Sequence, residues 1–513
     1  MRRAVGWFLV FVLGLTGCSR VWTARFGQRM DVDVTAPFVK CHLADGGLYV
    51  LTSWHLERDA IQGYGYQYDA DRRRLAPAQD QRVPLEEVVL IETNRPEELR
   101  HAGAFVLGFV TVASAAVSVA CAANPKACFG SCPTFYARSG AELPLMAEGF
   151  SASVSRPMED TDVDALVGAE LESGGGFVLH MKNEALETHF VRSLRIGVVD
   201  SHGARVLREG DSYRPAARVH EPRACEAVDV DDPSGERRPC QAEVARSDGL
   251  EYVSRTDGKD LGTTEAIRVV FPHRPGPLGV VVRARNTLLN TFLFYQSLAY
   301  MGRSIGDYLL AMERTELGVA ATKRFLETLG GIETEVRTAH GFERIGSFTE
   351  IGPIARDVQL WSLPNDLPEG DIELRLTVRR GNYKIDELAL AELLPALEPT
   401  WLQPDRVEKD GALDPAALAS LQGQGPRLMT FPGDTYAIHF PVKALERPAL
   451  FLESRGYYYE WGRESWLADE DPEKLRMLFE HPRQSLIELA PAYHRIEAKM
   501  DAVFFNSRIT HGP

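Results

Sequence analysis

The chain has 513 residues, 44% of them apolar and 25% charged, which is the composition of a folded globular protein long enough for about three domains. Acidic residues outnumber basic ones 72 to 57, giving a net charge of −15. A surface this acidic repels nucleic acid and anionic headgroups, which excludes nucleic-acid binding and membrane attachment through a basic patch.

At the N-terminus Arg2 and Arg3 precede an apolar run, residues 4–15, too short to span a bilayer comfortably. Small residues then lead to a cysteine in Leu15-Thr16-Gly17-Cys18. This pattern resembles the lipobox of bacterial lipoproteins, with an ordinary secretory leader as the alternative. The resemblance implies that residues 1–17 are a signal peptide, that Cys18 is lipidated, and that 18–30 form a tether. Ser19, where aspartate is absent, resembles lipoproteins sent to the outer membrane of double-membraned bacteria.

Residues 31–95 read as a small β domain, a barrel or meander, with apolar runs at 48–51 and 88–91 and turn chemistry at Asp45-Gly46-Gly47. An apolar, small-residue segment follows over 96–126. Within it, 102–123 carries no charge and meets the length criterion for a membrane-spanning helix. Three readings stay open there: a buried helix or strand pair, a membrane-embedded element, and an oligomerisation helix using Gly103, Gly108, Ala113 and Ala116. A single crossing would strand the later cysteines in a reducing compartment.

Residues 127–283 have β texture, with candidate strands at 176–181, 190–199 and 266–271 and an acidic surface insert at 223–260. The period changes over 284–331, which reads as a helical hairpin. Asn286 is its N-cap candidate and Gly330-Gly331 stops its second helix. Residues 332–466 return to a β-sandwich-like pattern, cleanest at Ile372, Leu374, Leu376 and Val378, and 467–513 suggest a helical C-terminal tail. The expected fold class is mainly β with a helical insert (α+β).

Apart from Cys18 there are six cysteines, and an even number in an exported chain favours disulfides. Cys225 with Cys240 is the closest sensible pair. Cys128 and Cys132 either bond locally or reach Cys41 and Cys121. Zinc is disfavoured, because no second close cysteine pair or paired histidine motif stands nearby.

Gly302-Arg303-Ser304-Ile305-Gly306 matches the G-x-S-x-G pattern of a nucleophile elbow, but it sits inside a helical run, where the strand-to-turn context is wrong. Asp160, Asp162 and Asp164 alternate as a weak calcium candidate; Ala165 and Leu171 stand where an EF-hand needs glycine and glutamate. Tyr457-Tyr458-Tyr459 with Trp461 and Trp466 is the densest aromatic cluster. On a strand Tyr457, Tyr459 and Trp461 share one side, which makes them, with Trp466, the candidate ligand- or partner-binding residues. No catalytic residue, metal site or cofactor is assigned.

Several blocks resemble an uncharacterised family of bacterial envelope lipoproteins. They are 45–51, Cys128-Phe129-Gly130-Ser131-Cys132-Pro133, 183–188, Arg285-Asn286-Thr287-Leu288-Leu289-Asn290-Thr291, and Gly456-Tyr457-Tyr458-Tyr459-Glu460-Trp461. The resemblance implies an exported, lipid-anchored protein and no reaction. The expectation is a binding or structural component of the envelope that meets a protein or glycan partner. An extracytoplasmic hydrolase and a membrane-embedded assembly component through 102–123 are the alternatives.

Overall fold

In the computed structural model the described residues are 20–27, 32, 34–36, 38–43, 47–68, 75–98, 132–230, 235–302, 305, 308, 316–349, 352–461 and 469–505. The protein is mainly β, with several antiparallel sheets and a few helices. Contacts divide it into two units, 1–128 with 463–469, and 129–462 with 470–513. Cys18, Cys121, Cys128, Ser304, Trp466 and the segment 102–123 lie outside the described residues. Among those described, no helix is long and apolar enough to cross a membrane.

The first unit is one six-stranded antiparallel sheet. Its order is Arg20–Gly27, Val88–Glu98, Phe38–Leu43, Leu48–Leu56, Ala60–Tyr68 and Gln79–Pro84, so the middle of the chain runs as a meander. Val39, Cys41, Leu51, Trp54, Ile61, Val83 and Ile91 form a single core, with Val39 opposite Leu51, Cys41 opposite Ile91 and Ile61 opposite Val83 across the strands. Trp54 donates its indole N–H to the Ala36 carbonyl at 2.8 Å. Gly65 is obligatory in this meander: a Cβ there would lie 1.9 Å from the Val50 carbonyl oxygen. Cys41 is a free thiol, and burial pushes its pKa up to about 12, so it is inert toward oxidation.

The second unit holds two sandwiches. In the first, sheet A has the order Ala412–Leu413, Arg406–Lys409, Thr435–Phe440, Phe177–Lys182, Thr134–Ala137, Leu145–Glu148. Facing it, sheet B runs Thr400–Leu402, Glu187–Val199, Ala449–Glu460, Asp160–Ala165, with Leu428–Thr430 also paired to Glu187–Val199. Strict alternation explains the arrangement: Phe177, Leu179 and Met181 point inward with Ile438 and Phe440, against Leu194, Ile196, Leu450 and Leu452.

The second sandwich pairs sheet C with sheet D. Sheet C is Arg205–Glu209, Ser212–His220, Tyr383–Leu393, Leu278–Asn286, Asp357–Ser362. Sheet D is Arg238–Pro239, Ala224–Asp229, Thr264–Phe271, Ile372–Arg379, Ile332–Thr338, Gly341–Phe348. Sheet C is buried on both faces, which is why 278–286 reads as a continuous apolar run: Val280 and Val282 enter the core shared with sheet D, and Val281 enters a separate cluster with Leu360 and Ala391. The expected acidic insert at 223–260 is instead the edge of this sandwich. Cys225 and Ala227 alternate into its core with Cys240 and Val244, and Cys225 and Cys240 are disulfide-bonded.

Helices Leu289–Met301 and Glu316–Glu327 form where the hairpin was expected. Both contact Pro472–Glu480, which also packs on Pro482–Phe505, and Leu289–Met301 meets Pro482–Phe505 directly through Phe292 against Tyr493. Asp471 caps Pro472–Glu480 by accepting from the Lys474 N–H at 3.1 Å, with proline at the first helical position.

Candidate binding surface

Tyr457, Tyr458, Tyr459 and Trp461 are interior, which corrects the expectation that they form a recognition surface; Trp466 lies outside the described residues. Tyr457 and Tyr459 share one face of strand Ala449–Glu460 as alternation requires, but both are buried, as is Trp461. Tyr457 stacks flat on Phe190, with centroids 4.7 Å apart and planes 9° apart, and Tyr459 meets the same ring edge-on at 5.7 Å. Trp461 donates its indole N–H to Thr188 Oγ1 at 2.9 Å. Tyr458 enters the sandwich core on the other face and donates to the Ser151 carbonyl, and burial drives its hydroxyl pKa well up. The physical reason is that this strand is central and covered on both faces at this end. No local signal announces Phe190, which lies far off in sequence.

Beneath the aromatics is a buried polar chain. His189 Nε2 bonds Glu187 Oε1 at 2.9 Å, His189 Nδ1 meets Thr430 Oγ1 at 3.0 Å, and Asn183 Nδ2 donates to the Glu187 and Thr430 carbonyls at 3.0 and 3.1 Å. Thr430 Oγ1, the His189 ring and the Glu187 carboxyl thus form one hydrogen-bonded chain, with the donor and acceptor roles following the His189 tautomer. The order hydroxyl, imidazole, carboxylate is that of a nucleophilic triad, but Thr430 is 1% exposed and Glu187 and His189 are fully buried. No substrate reaches that hydroxyl. The chain pins strand Leu428–Thr430 to strand Glu187–Val199 and accounts for Asn183 and Glu187 of block 183–188, whereas Glu184 accepts from the Thr134 and Tyr136 hydroxyls.

Asp160, Asp162 and Asp164 lie on strand Asp160–Ala165, so their side chains do share one face, graded from exposed to buried. Asp162 Oδ2 accepts from the Phe150 N–H at 3.1 Å. Burial, reinforced by the Asp357 carboxylate, pushes its pKa up to about 6. Among the described residues, no group of three or more His, Cys, Asp or Glu is placed to hold a metal ion. An extended strand spreads its carboxylates along a line, whereas a calcium loop curls them around a point.

The carboxylate that draws a cluster is the neighbouring Glu159, which sequence reasoning missed. Arg192 forks onto it, Nε to Oε1 and Nη2 to Oε2; Arg427 donates Nη2 to Oε2; Arg455 Nε lies 3.5 Å from Oε1. Burial opposes ionisation of Glu159, but the hydrogen bonds and charges of Arg192 and Arg427 outweigh it and hold the carboxyl below its usual range. The side chain of Glu159 is 8% exposed, against 42% for Arg192 and 48% for Arg455. Arg427 lies over the Tyr457 ring at 5.3 Å, so the buried aromatics form its floor. Further along the same face Arg195 forks onto Glu453 at 2.7 and 2.6 Å and covers Trp401. These arginines come from separate strands, one or two apiece, which leaves no motif to read.

Two of the open clefts among the described residues flank the sandwiches. One, of about 760 Å³, is lined by loops 165–175, 203–206 and 444–451, with Glu170, Glu172, Arg205 and Arg447 among its charges. The other, of about 500 Å³, is bordered by Met158, Asp160, Lys323, Glu327 and Tyr383.

No family model and no curated protein matches this chain. Among solved structures, a GH31 alpha-xylosidase from Xanthomonas citri aligns over 85% of this chain and 38% of its own length, at 7% identity and a TM-score of 0.16. The structure of infectious bursal disease virus, Gx strain, aligns over 94% of this chain and 87% of its own, at 8% identity and a TM-score of 0.11. The chain thus spans well under half the length of the xylosidase. At these scores neither likeness informs the fold or the chemistry.

Proposed function

We propose that this chain is a lipid-anchored, extracytoplasmic binding or structural protein of a bacterial envelope, tethered through Cys18, with the outer membrane as its destination. Supporting the address are the basic-apolar leader ending in Leu15-Thr16-Gly17-Cys18, the blocks that resemble envelope lipoproteins, and the Cys225–Cys240 disulfide, a bond favoured by an oxidising compartment. The observation that carries the binding role is the half-exposed arginine face of sheet B, held on paired strands and braced by Glu159, Glu453 and the aromatic floor. Rigid strands with side-chain geometry fixed by neighbours suit recognition of a protein or glycan partner.

The test combines lipid labelling with crosslinking. Cells fed an alkyne-tagged palmitate label the wild-type chain and leave Cys18→Ala unlabelled. A photo-crosslinking residue at Ser193 captures a defined envelope component, and one at Arg476, exposed on helix Pro472–Glu480, does not. A chain without label in the cytosolic fraction refutes the anchor; capture that is indistinguishable at the two positions refutes the binding face.

A further inference from the structure

We infer that the Glu159 cluster is an anion site that takes a dianionic phosphate group, the terminal phosphomonoester of a lipid headgroup or a free phosphate. The inference deepens the binding role and rests on the arginine face of sheet B being the recognition surface. Three guanidinium groups meet one carboxylate there. One carboxylate balances one of the three guanidinium charges, with Arg192 forked onto Glu159 and Arg427 donating to it as well.

Neither acidic neighbour on these strands, Asp160 or Glu453, cancels the excess. Asp160 is adjacent, but side chains alternate along its strand, so it points to the face opposite Glu159 and Thr161, and its Oδ1 accepts the Thr161 N–H at 2.7 Å. Glu453, on the same face as Arg455, is spent on Arg195 in a two-bonded fork. Two positive charges therefore remain, in a chain whose net charge is −15. That excess matches a phosphomonoester, which carries close to two negative charges near neutral pH.

Geometry adds a second line. The pairing of Glu187–Val199 with Ala449–Glu460 shifts register between Val191 and Ser193, which makes Arg192 the extra residue of a β-bulge. Bulges re-aim a side chain and recur beside functional sites. Here the bulge places Arg192 beside Ser193 and Arg455, whose Cα atoms are direct partners across the strands. Arg192 Nη1 and both Nη groups of Arg455 donate no hydrogen bond to Glu159, and Arg192 and Arg455 are nearly half exposed, so donors remain for an incoming oxyanion. Tyr457 under Arg427 fixes the plane of the third guanidinium.

The experiment is calorimetric titration of the full chain, in non-ionic detergent, with inorganic phosphate and separately with a soluble short-chain phosphatidic acid. Saturable binding of phosphate is expected, weakened at least about tenfold, the worth of one charge-assisted contact, in Arg192→Gln/Arg455→Gln, titrated at a temperature where its circular dichroism matches the wild type. Arg476→Gln, an exposed arginine on helix Pro472–Glu480, binds as wild type. Phosphatidic acid binding more tightly than phosphate assigns the site to a headgroup, and equal affinity assigns it to free phosphate. No saturable binding by the wild type, or binding indifferent to the double variant, overturns the inference. Neither result touches lipid labelling or crosslinking, so the envelope role and the phosphate site fail separately.

Discussion

Asp162→Asn tests whether the first sandwich stores an electrostatic penalty at neutral pH. The Asp162 carboxyl is raised from an ordinary value of 3.8 to about 6 by burial first and the Asp357 carboxylate second, against the opposing pull of two backbone N–H groups and Arg208. A folded pKa above the unfolded one means the native state holds its proton longer. The penalty is absent below about pH 4, grows as the unfolded chain ionises, and is complete above about pH 6. A shift of roughly two units is worth about 3 kcal/mol. Asparagine keeps an acceptor for the Phe150 N–H and carries no charge. Urea unfolding from about pH 4 to about pH 8 is expected to show near-equal stabilities at the acid end, with the variant ahead by up to about 3 kcal/mol at the alkaline end. His180 and His439, lowered first by burial, change the profile in the opposite sense near neutrality, but both proteins share them and they cancel in the difference. A flat difference, or a variant less stable at alkaline pH, refutes the reasoning.

Three further outcomes follow from the packing. Leu452→Ala empties a fully buried position between sheets A and B and is expected to cost about 2–5 kcal/mol in urea unfolding. Opening the Cys225–Cys240 bond, which closes a separation of 15 residues, lowers stability by about 3 kcal/mol; the melting temperature of Cys225→Ser/Cys240→Ser measured beside the wild type checks it. Thr430→Val removes the hydroxyl that meets His189 Nδ1 and costs about 1–3 kcal/mol in urea unfolding, while the phosphate titration is unchanged, because the buried chain is structural.

Much of the β architecture was legible because its signal is local. Ile372, Leu374, Leu376 and Val378 alternate in the sequence and are buried in alternation in the structure. Glu316–Glu327 ends near the glycine pair read as its stop. The acidic insert misled because polarity was read over the whole of 223–260, whereas burial turns on the few apolar residues at alternate positions, Cys225 and Ala227 above all. The aromatic block misled for a different reason. Alternation gave the face of Tyr457 and Tyr459 correctly, but whether that face meets water depends on what packs against it, and Phe190, stacked on Tyr457, is remote in sequence.

Strand Ala449–Glu460 shows why the arginine face could not be read from any single segment. On its outer face the side chains pass from Phe451 through Glu453 and Arg455 to Tyr457 and Tyr459, from buried through accessible to buried again. Arg455 is the exposed residue between the two apolar ends. A lone arginine there would be an ordinary solvated side chain. It becomes part of a charged site only because the bulge at Arg192, the segment ahead of Leu428–Thr430 that carries Arg427, and Glu159 at the head of Asp160–Ala165 all meet it. Each of those partners is set by sheet pairing, so a one-residue slip in any of the three registers would turn a guanidinium to the opposite face and dissolve the cluster.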